Sequence, residues 1–275
     1  MKIACISDLH MGDGKSSDSF QHKENHFLSF LDFLEDQYDQ IILNGDIFET
    51  YKSLKVNTPA EQLLRVQNYY GNINLRFLQK KYILIAGNHD SILESLGYPL
   101  SYLHQDENGG KYLFLHGHQF DPIRSSGIIP PAASWFFGFL ERTGWKNAES
   151  YFSWIDEEIG YKTGKNNVFL LREGAKEICS DSKGENPGHV IMGHTHEMPG
   201  IIECGESTYI NSGACLKGRI QFVHIDTFNR ENRVYNYSIT NRYGIALNTE
   251  YPRTENISFK TCNSHLKNSN SIKII

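Results

Sequence analysis

Strand-length apolar runs alternate with helical stretches over the first ninety residues, and this alternation limits the fold more than any other feature of the chain. Three runs resemble buried strands, each followed directly by polar residues or glycine: 3–7, 40–44 and 82–86. Apolar residues at helical spacing predict a helix over 24–37, and Thr58-Pro59 begins a helix predicted over 59–79. Strand–helix–strand alternation predicts a mostly parallel sheet covered by helices.

In the later part of the chain, the predicted strands are mostly separated by tight turns and not by helices. They are predicted at 111–115, 189–192, 200–203, 207–211, 219–225 and 233–239. A hairpin-rich half joined to a parallel half predicts an α/β (α+β) fold with a mixed sheet or a two-sheet sandwich. We expect residues 1–120 and 186–254 to form the main domain, and the polar segment 255–275 to be a loosely docked tail.

The intervening residues 121–185 differ from both halves. They contain all three tryptophans, and eight of the twenty residues from Trp135 to Trp154 are aromatic. Because the segment begins after one strand and ends before another, it is predicted to be an inserted helical cap. Three roles stay open for its aromatic residues: packing of helices on the sheet, a groove for an apolar substrate, and a patch that contacts a membrane interface.

Polar residues of the metal-binding type follow five of the predicted strands. They form the sets Asp8-Leu9-His10, Gly45-Asp46, Gly87-Asn88-His89-Asp90, His116-Gly117-His118 and Gly193-His194-Thr195-His196. Ligands of open α/β sheets bind outside the carboxyl ends of the strands, so the five sets should converge. Two aspartates, an asparagine and four or five imidazoles suffice for two divalent ions that share a carboxylate. Since no cysteine takes part, a mixed oxygen and nitrogen site for Mn²⁺, Fe or Zn²⁺ is predicted.

This order of motifs resembles the calcineurin-like metallophosphoesterase family over about residues 1–215. The resemblance implies a four-layer β-sandwich of two mixed sheets flanked by helices, with residues 1–120 and 186–254 as the catalytic domain. It also implies two metal ions, Mn²⁺ being the first expectation. One ion would be held by Asp8, His10, Asp46 and His196, and the other by Asp46, Asn88, His116 and His194. Asn211 lies in a segment similar to a family strand that backs the site.

The mechanism implied by these residues is hydrolysis by a metal-activated hydroxide. Two close cations lower the pKa of a bridging water and bind the phosphoryl oxygens for in-line displacement. His89 is predicted to act as general acid on the leaving oxygen, with Asp90 orienting it. His118 is expected to contact a ligand or the substrate. Arg124 lies in the predicted cap, where it could meet a phosphate or remain a solvated surface charge.

Within the family, the motifs are most similar to the UDP-2,3-diacylglucosamine pyrophosphatase branch. That resemblance implies a sugar-nucleotide lipid substrate bound under the cap. The chain differs from the branch at His89 and His118, where arginine and aspartate are usual. A general phosphodiesterase or phosphatase, a DNA nuclease of the same superfamily and a non-catalytic scaffold are therefore the alternatives. A formal charge of −5 disfavours nucleic acid, and the filled ligand positions disfavour a scaffold.

The expected location is the cytoplasm. Apolar runs are far shorter than the roughly 20 residues of a membrane span. Asp8 interrupts the amino terminus before a signal-peptide core can form, and the five cysteines are scattered. We expect a small-molecule phosphodiester or nucleotide-sugar-lipid substrate and a peripheral contact of the cap with the inner membrane face, and leave the oligomeric state open.

Overall fold

The structure is a computed structural model that describes residues 1–15, 18–52, 58–121, 167–180, 187–196, 200–204, 207–240 and 244–248. Most of the predicted cap, including Arg124, and the predicted tail 255–275 lie outside the described residues.

Two mixed sheets are built from the strands of the described chain. These are β1 (Lys2–Ile6), β2 (Gln40–Asn44), β3 (Tyr82–Ile85), β4 (Ser101–Gln105), β5 (Lys111–Leu115), β6 (His189–Met192), β7 (Gly200–Cys204), β8 (Ser207–Asn211), β9 (Gln221–Asp226), β10 (Glu231–Thr240) and β11 (Gly244–Asn248). The first sheet has the order β11-β10-β9-β1-β2-β3, and the second has the order β4-β5-β6-β8-β7. Strands β1, β2 and β3 run parallel to one another, as do β5, β6 and β8. The predicted two-sheet fold is confirmed.

Helices accompany both sheets in the described part of the chain. They are α1 (Glu24–Gln37), α2 (Pro59–Tyr69), α3 (Gly71–Phe77), α4 (Ile92–Ser95) and α5 (Asn167–Ser180). The single helix predicted over 59–79 is divided at Tyr70, whose backbone has φ −102° and ψ 45°. The Tyr70 hydroxyl donates to Asp18 Oδ2 at 2.7 Å, and Gly71, a weak helix former, follows. None of these described helices combines the length and apolarity needed to cross a bilayer.

Alternation of side chains along the strands defines the layers. In β1, Ile3 and Cys5 pack between the sheets, whereas Ala4 and Ile6 belong to the core beneath α1. In β5, Tyr112 and Phe114 face the first sheet, and Leu113 and Leu115 face α5. Because successive strand residues point to opposite faces, strands buried on both sides must be apolar throughout. The layers of the fold are therefore stacked in the order helices, first sheet, second sheet and α5.

The helix α5 lies within the interval 121–185 that the sequence assigns to the cap. Leu171 and Ala175 are fully buried against Leu115, Val190 and Met192 of the second sheet. Residues 167–180 therefore form the outer helical layer of the sandwich, because an amphipathic helix buries its apolar face on the nearest sheet. Residues 122–166 lie outside the described residues.

Candidate metal centre

The five polar sets meet where strands of the two sheets end. The Asp8 amide donates to the Gly45 carbonyl at 3.1 Å, and the Gly193 amide donates to the His116 carbonyl at 3.1 Å. The side-chain amide of Asn44, at the end of β2, donates to the Leu115 carbonyl at 3.0 Å across the sandwich. These bonds fix the strand ends of both sheets against each other and thereby place the sets around one centre.

Several of the predicted ligands have left-handed backbone conformations. Positive φ values occur at Asp8 (54°), His10 (47°), Asp46 (53°), His194 (72°) and His196 (52°). This region is uncommon for residues other than glycine. Each such residue bends the chain sharply at or beyond a strand end, which brings Asp8 and His10, two positions apart, around the same centre.

Two groups of donor atoms lie next to each other. In the first, Asp8 Oδ1 is 3.1 Å from His196 Nε2, which is 2.9 Å from His10 Nε2. In the second, Asp46, His116 and His194 bring their ligand atoms within 4.8 Å of one another. Asp46 Oδ2 is 3.2 Å from His116 Nε2 and 3.6 Å from His10 Nε2, so the same oxygen faces both groups.

The unsatisfied atoms of the centre fit divalent cations. Among the buried atoms of the predicted ligands that make no hydrogen bond in the described part of the chain are Asp8 Oδ1, Asp46 Oδ2, Asn88 Oδ1 and His116 Nε2. Leaving such atoms unpaired costs free energy, and a bound cation removes that cost. Three oxygens and an imidazole nitrogen form a donor set suited to Mn²⁺, Fe or Zn²⁺.

Other polar atoms of these ligand side chains are hydrogen-bonded to the protein. Asp46 Oδ1 accepts from the His89 amide at 2.8 Å, and Asp8 Oδ2 accepts from the His194 amide at 3.1 Å. His116 Nδ1 donates to the Asn44 carbonyl at 3.0 Å, which leaves Nε2 for a ligand bond. Such outer hydrogen bonds fix the orientation of metal ligands and the tautomer of histidine.

Glycine is needed beside the ligand loops because the backbone comes very close to the carboxylates. A Cβ at Gly87 would collide with the Asp46 carboxylate and amide, and one at Gly193 would lie 2.5 Å from Asp8 Oδ2. Real side chains do not tolerate these approaches, so glycine at both positions is a geometric requirement of the centre.

Charge in the centre keeps both aspartates ionised. Burial would raise the pKa of Asp8, but the imidazoles of His116 and His196 outweigh it and lower this pKa to about 2. Burial opposes ionisation of Asp46 as well, yet His116 and His89 hold its pKa well below the usual range. Two fixed anionic ligands therefore face the cation position at neutral pH.

Glu49, which was not among the sequence-predicted site residues, contacts both His10 and His89. Its Oε2 lies 2.9 Å from His89 Nδ1 and 3.5 Å from His10 Nδ1, and the residue is 2% exposed. Burial raises the pKa of Glu49, yet His89 and Lys52 outweigh it and hold the pKa well below its usual range. The sequence signal was a carboxylate three residues after Asp46, directly behind the apolar pair Ile47-Phe48.

The predicted orienting role of Asp90 is corrected by these contacts. Asp90 Oδ1 accepts from the Gly87 amide at 2.7 Å, and Oδ2 accepts from the Ile47 amide at 2.8 Å. The imidazole of His89 is contacted by Glu49 instead. Asp90 thus shapes the loops that carry the ligands, because its short side chain is directed to the backbone.

Other predicted site residues surround the ligands at greater distance. The ring of His118 is centred 5.6 Å from that of His116, outside the groups of ligand atoms in the described chain. Burial, followed by the charges of His116 and His194, lowers the pKa of His118 to about 3. Asn211 donates to Thr195 Oγ1 at 3.0 Å and so supports the loop between two ligands.

A second residue absent from the sequence prediction is Asp121. Its Oδ2 lies 3.3 Å from His194 Nε2, in a buried contact. A carboxylate in this position holds the His194 ring in its orientation. No short motif joins Asp121 to His194, which is 73 residues further along the chain.

A two-sheet sandwich with carboxylates and imidazoles converging at its strand ends defines a metal-dependent hydrolase. A model of the family described as calcineurin-like phosphoesterase matches residues 1–198, most of the chain. The chain therefore belongs to the calcineurin-like phosphoesterase family and is a metal-dependent phosphoesterase.

Individual relatives are distant. No curated protein matches the chain significantly. A predicted phosphoesterase from Streptococcus pneumoniae is similar at 16% identity, with a TM-score of 0.38 and coverage of 92% of this chain and 94% of that chain. Vps29 from Chaetomium thermophilum shows 13% identity, a TM-score of 0.42 and coverages of 90% and 94%. A dimetal phosphatase from Danio rerio shows 11% identity, a TM-score of 0.45 and coverages of 86% and 95%.

Proposed function

We propose that the chain is a dinuclear-metal phosphohydrolase that cleaves a phosphodiester or pyrophosphate bond in a small-molecule substrate. The observation that carries the proposal is the position of Asp46 Oδ2, a buried oxygen without a hydrogen bond that faces both His10 and His116. A carboxylate oxygen in that position is suited to bridging two cations.

The residues of this chain would divide the work as follows. Asp8, His10, Asp46 and His196 would hold one cation, and Asp46 would share the second with Asn88, His116 and His194. When bound, the two cations supply charge that polarises the phosphoryl group and lowers the pKa of water. His89 would protonate the leaving oxygen through Nε2, because Glu49 contacts its Nδ1 at 2.9 Å. The buried walls would exclude bulk water from the reacting groups.

The substrate we favour is a sugar nucleotide with acyl chains, similar to UDP-2,3-diacylglucosamine. Its support is the likeness of Asp8-Leu9-His10-Met11 and Gly45-Asp46-Ile47-Phe48-Glu49 to that branch of the family. We also propose a cytoplasmic location and Mn²⁺ as the physiological metal. A peripheral membrane contact through the aromatic-rich segment would follow from such a substrate.

The test is an Asp46→Asn variant assayed with bis(p-nitrophenyl) phosphate and Mn²⁺. We expect activity to fall by more than about 100-fold together with a loss of bound metal, because the shared ligand loses its charge. Asp36→Asn is the matched control, since Asp36 is exposed on α1. Full activity with unchanged metal content in Asp46→Asn would refute the proposal.

A second assay distinguishes the substrate classes. Protein stripped with a chelator and reloaded with Mn²⁺, Fe²⁺ or Zn²⁺ is offered phosphomonoesters, cyclic nucleotides, DNA and UDP-sugar lipids. The highest kcat/KM is expected for the UDP-sugar lipid with Mn²⁺. A preference for DNA or for simple phosphomonoesters would replace the sugar-nucleotide proposal and leave the dinuclear chemistry intact.

A further inference from the structure

An open cavity adjoins the half of the metal centre formed by His10 and His196. Together with the open solvent at its mouth, it contains about 220 Å³ of empty space. Its lining consists of His10, Ser19, Lys52, His196, Leu216 and Lys217. Two lysines thus lie across a small space from two predicted metal ligands, an arrangement that the hydrolysis of a single phosphodiester does not require. We call this space the lysine pocket.

Lys52 is a deeply buried cation in the wall of the lysine pocket. It is 2% exposed, and its Nζ lies 3.8 Å from Glu49 Oε2 and 3.4 Å from Ser19 Oγ. Burying an ammonium group is unfavourable unless it is paired, so Glu49 stabilises Lys52 in this position. The Ser19 hydroxyl accepts from Lys52 and can turn its own hydrogen toward the cavity.

Lys217 enters the lysine pocket from a different loop. Its backbone φ is 52°, and Gly218 follows at 81°, so the chain makes a left-handed turn there. The Lys217 amide donates to the Ser19 carbonyl at 3.0 Å. This bond ties the two loops together and fixes the Cα of Lys217 beside the wall that carries Lys52. Lys217 is exposed to solvent, whereas Lys52 is buried.

The charges of the lysine pocket favour an anion. Two lysine ammonium groups, one of them 3.8 Å from Glu49 Oε2, belong to residues that line this small space. An anion here would lie next to a phosphoryl group held by the metal centre, because His10 and His196 line both spaces. Lysine ammonium groups and hydroxyls are common partners of phosphoryl oxygens.

The geometry points to a second phosphoryl subsite: the lysine pocket binds the phosphoryl group next to the one that is attacked. The enzyme then prefers substrates with two linked phosphoryl groups to single phosphodiesters. This inference rests on the proposed function and specifies the substrate class of the same site. Lys217 is the specificity-determining residue at the accessible side of the pocket, and Lys52 is its buried counterpart.

The kinetic test compares UDP-glucose with bis(p-nitrophenyl) phosphate in three variants: Lys217→Gln, Lys217→Arg and Arg219→Gln. Lys217→Gln should lower kcat/KM for UDP-glucose by at least about tenfold, chiefly through KM, and change the phosphodiester by less than about twofold. Lys217→Arg should restore the preference. Arg219→Gln is the matched control, since it removes an exposed positive charge from the same loop outside the pocket lining.

A binding test does not depend on turnover. UDP should bind the Mn²⁺-loaded protein at least about tenfold more tightly than UMP in calorimetry, and Lys217→Gln should remove that difference. Equal affinities for UDP and UMP in the unmodified protein would overturn the inference. So would equal losses on both substrates in Lys217→Gln and Arg219→Gln, which would indicate general attraction of anions.

The two proposals fail in different ways. If the unmodified protein hydrolyses neither substrate with any metal, the proposed function is refuted, and the UDP and UMP affinities still decide whether the subsite exists. If it hydrolyses both substrates and Lys217→Gln changes neither, the hydrolase stands and the subsite does not.

Discussion

At the scale of single residues, the chemistry of the centre depends on carboxylates that contact a ring nitrogen of its histidines. Glu49 contacts Nδ1 of both His10 and His89, and Asp121 contacts Nε2 of His194. Such partners fix which ring nitrogen faces the centre and make the imidazole a stronger base. Their removal should change the behaviour of the histidines.

Glu49→Gln should lower kcat by about 10- to 100-fold, because His89 loses the charged partner that orients it. The loss should be larger for an alkyl or phenyl leaving group than for p-nitrophenolate, which needs little protonation. Glu94→Gln, at an exposed position of α4, provides the control. Equal losses for good and poor leaving groups would show that Glu49 acts through the metal ligand His10.

Asp121→Asn should weaken metal binding by about 10- to 100-fold, since an amide supports the His194 ring less well than a carboxylate. Metal dissociation constants measured by competition with a chelator would show the change. The thermal unfolding midpoint of the metal-free protein should remain close to that of the unmodified chain. Unaltered metal affinity in this variant would mean that the contact between Asp121 and His194 does not tune the site.

Site residues could be predicted where the signal is a local motif, but not where it is a contact between residues far apart in the sequence. Asp8, His10, Asp46, His116, His194 and His196 could be named because each follows a strand within a short motif, and the structure brings them together. Glu49 and Asp121 could not, because their partners lie 40 and 73 residues away and only the folded sheets bring them close. Asp90 was given the wrong role, because adjacency in sequence to His89 does not imply contact between the side chains.

At the scale of elements, agreement between the predicted and observed strands differs from one strand to the next. The bounds of β2, β5, β6 and β8 agree with the sequence prediction, because each is an internal strand whose residues are mostly buried. Strand β4 was not predicted, since it lies at a sheet edge and its residues are only half-buried or exposed. The division between α2 and α3 depends on the contact of Tyr70 with Asp18, which no local pattern contains.

The start of α2 offers a prediction at this scale. Thr58 and Glu61 form a capping box, in which each side chain accepts from the backbone amide of the other. Thr58→Ala should lower the free energy of unfolding by about 1 kcal/mol, because the Glu61 amide loses its acceptor. Urea unfolding would measure the effect.

Ser29→Ala is the control for this helix-cap variant. Ser29 is exposed within α1 and donates to the Asn25 carbonyl of the preceding turn. A change within about 0.5 kcal/mol is expected there. If both variants unfold at the same urea concentration, the capping box contributes nothing to stability.

At the scale of the whole molecule, the metal centre lies where the two sheets meet, so ion binding and global stability should be linked. The buried, ionised carboxylates of Asp8 and Asp46 lie near each other, and cations would neutralise them. A ligand that binds only the folded state stabilises it by about 2.7 kcal/mol at 100 times its dissociation constant.

Removal of metal should therefore lower the thermal unfolding midpoint by several degrees, and Mn²⁺ should restore it. Calorimetric scans in chelator and in excess Mn²⁺ would show the shift. The Asp46→Asn protein should show little or none of it. Coincident midpoints with and without Mn²⁺ in the unmodified protein would exclude this linkage.

The left-handed ligands have an evolutionary consequence. A residue other than glycine in that conformation costs on the order of 1–3 kcal/mol, and five predicted ligands adopt it: Asp8, His10, Asp46, His194 and His196. Glycine at any of them would relax the backbone, so selection for folding alone would tend to erase these side chains. A descendant protein that no longer needs catalytic activity would be expected to lose these ligand side chains early. Their joint presence in this chain is what selection for activity at the expense of stability predicts.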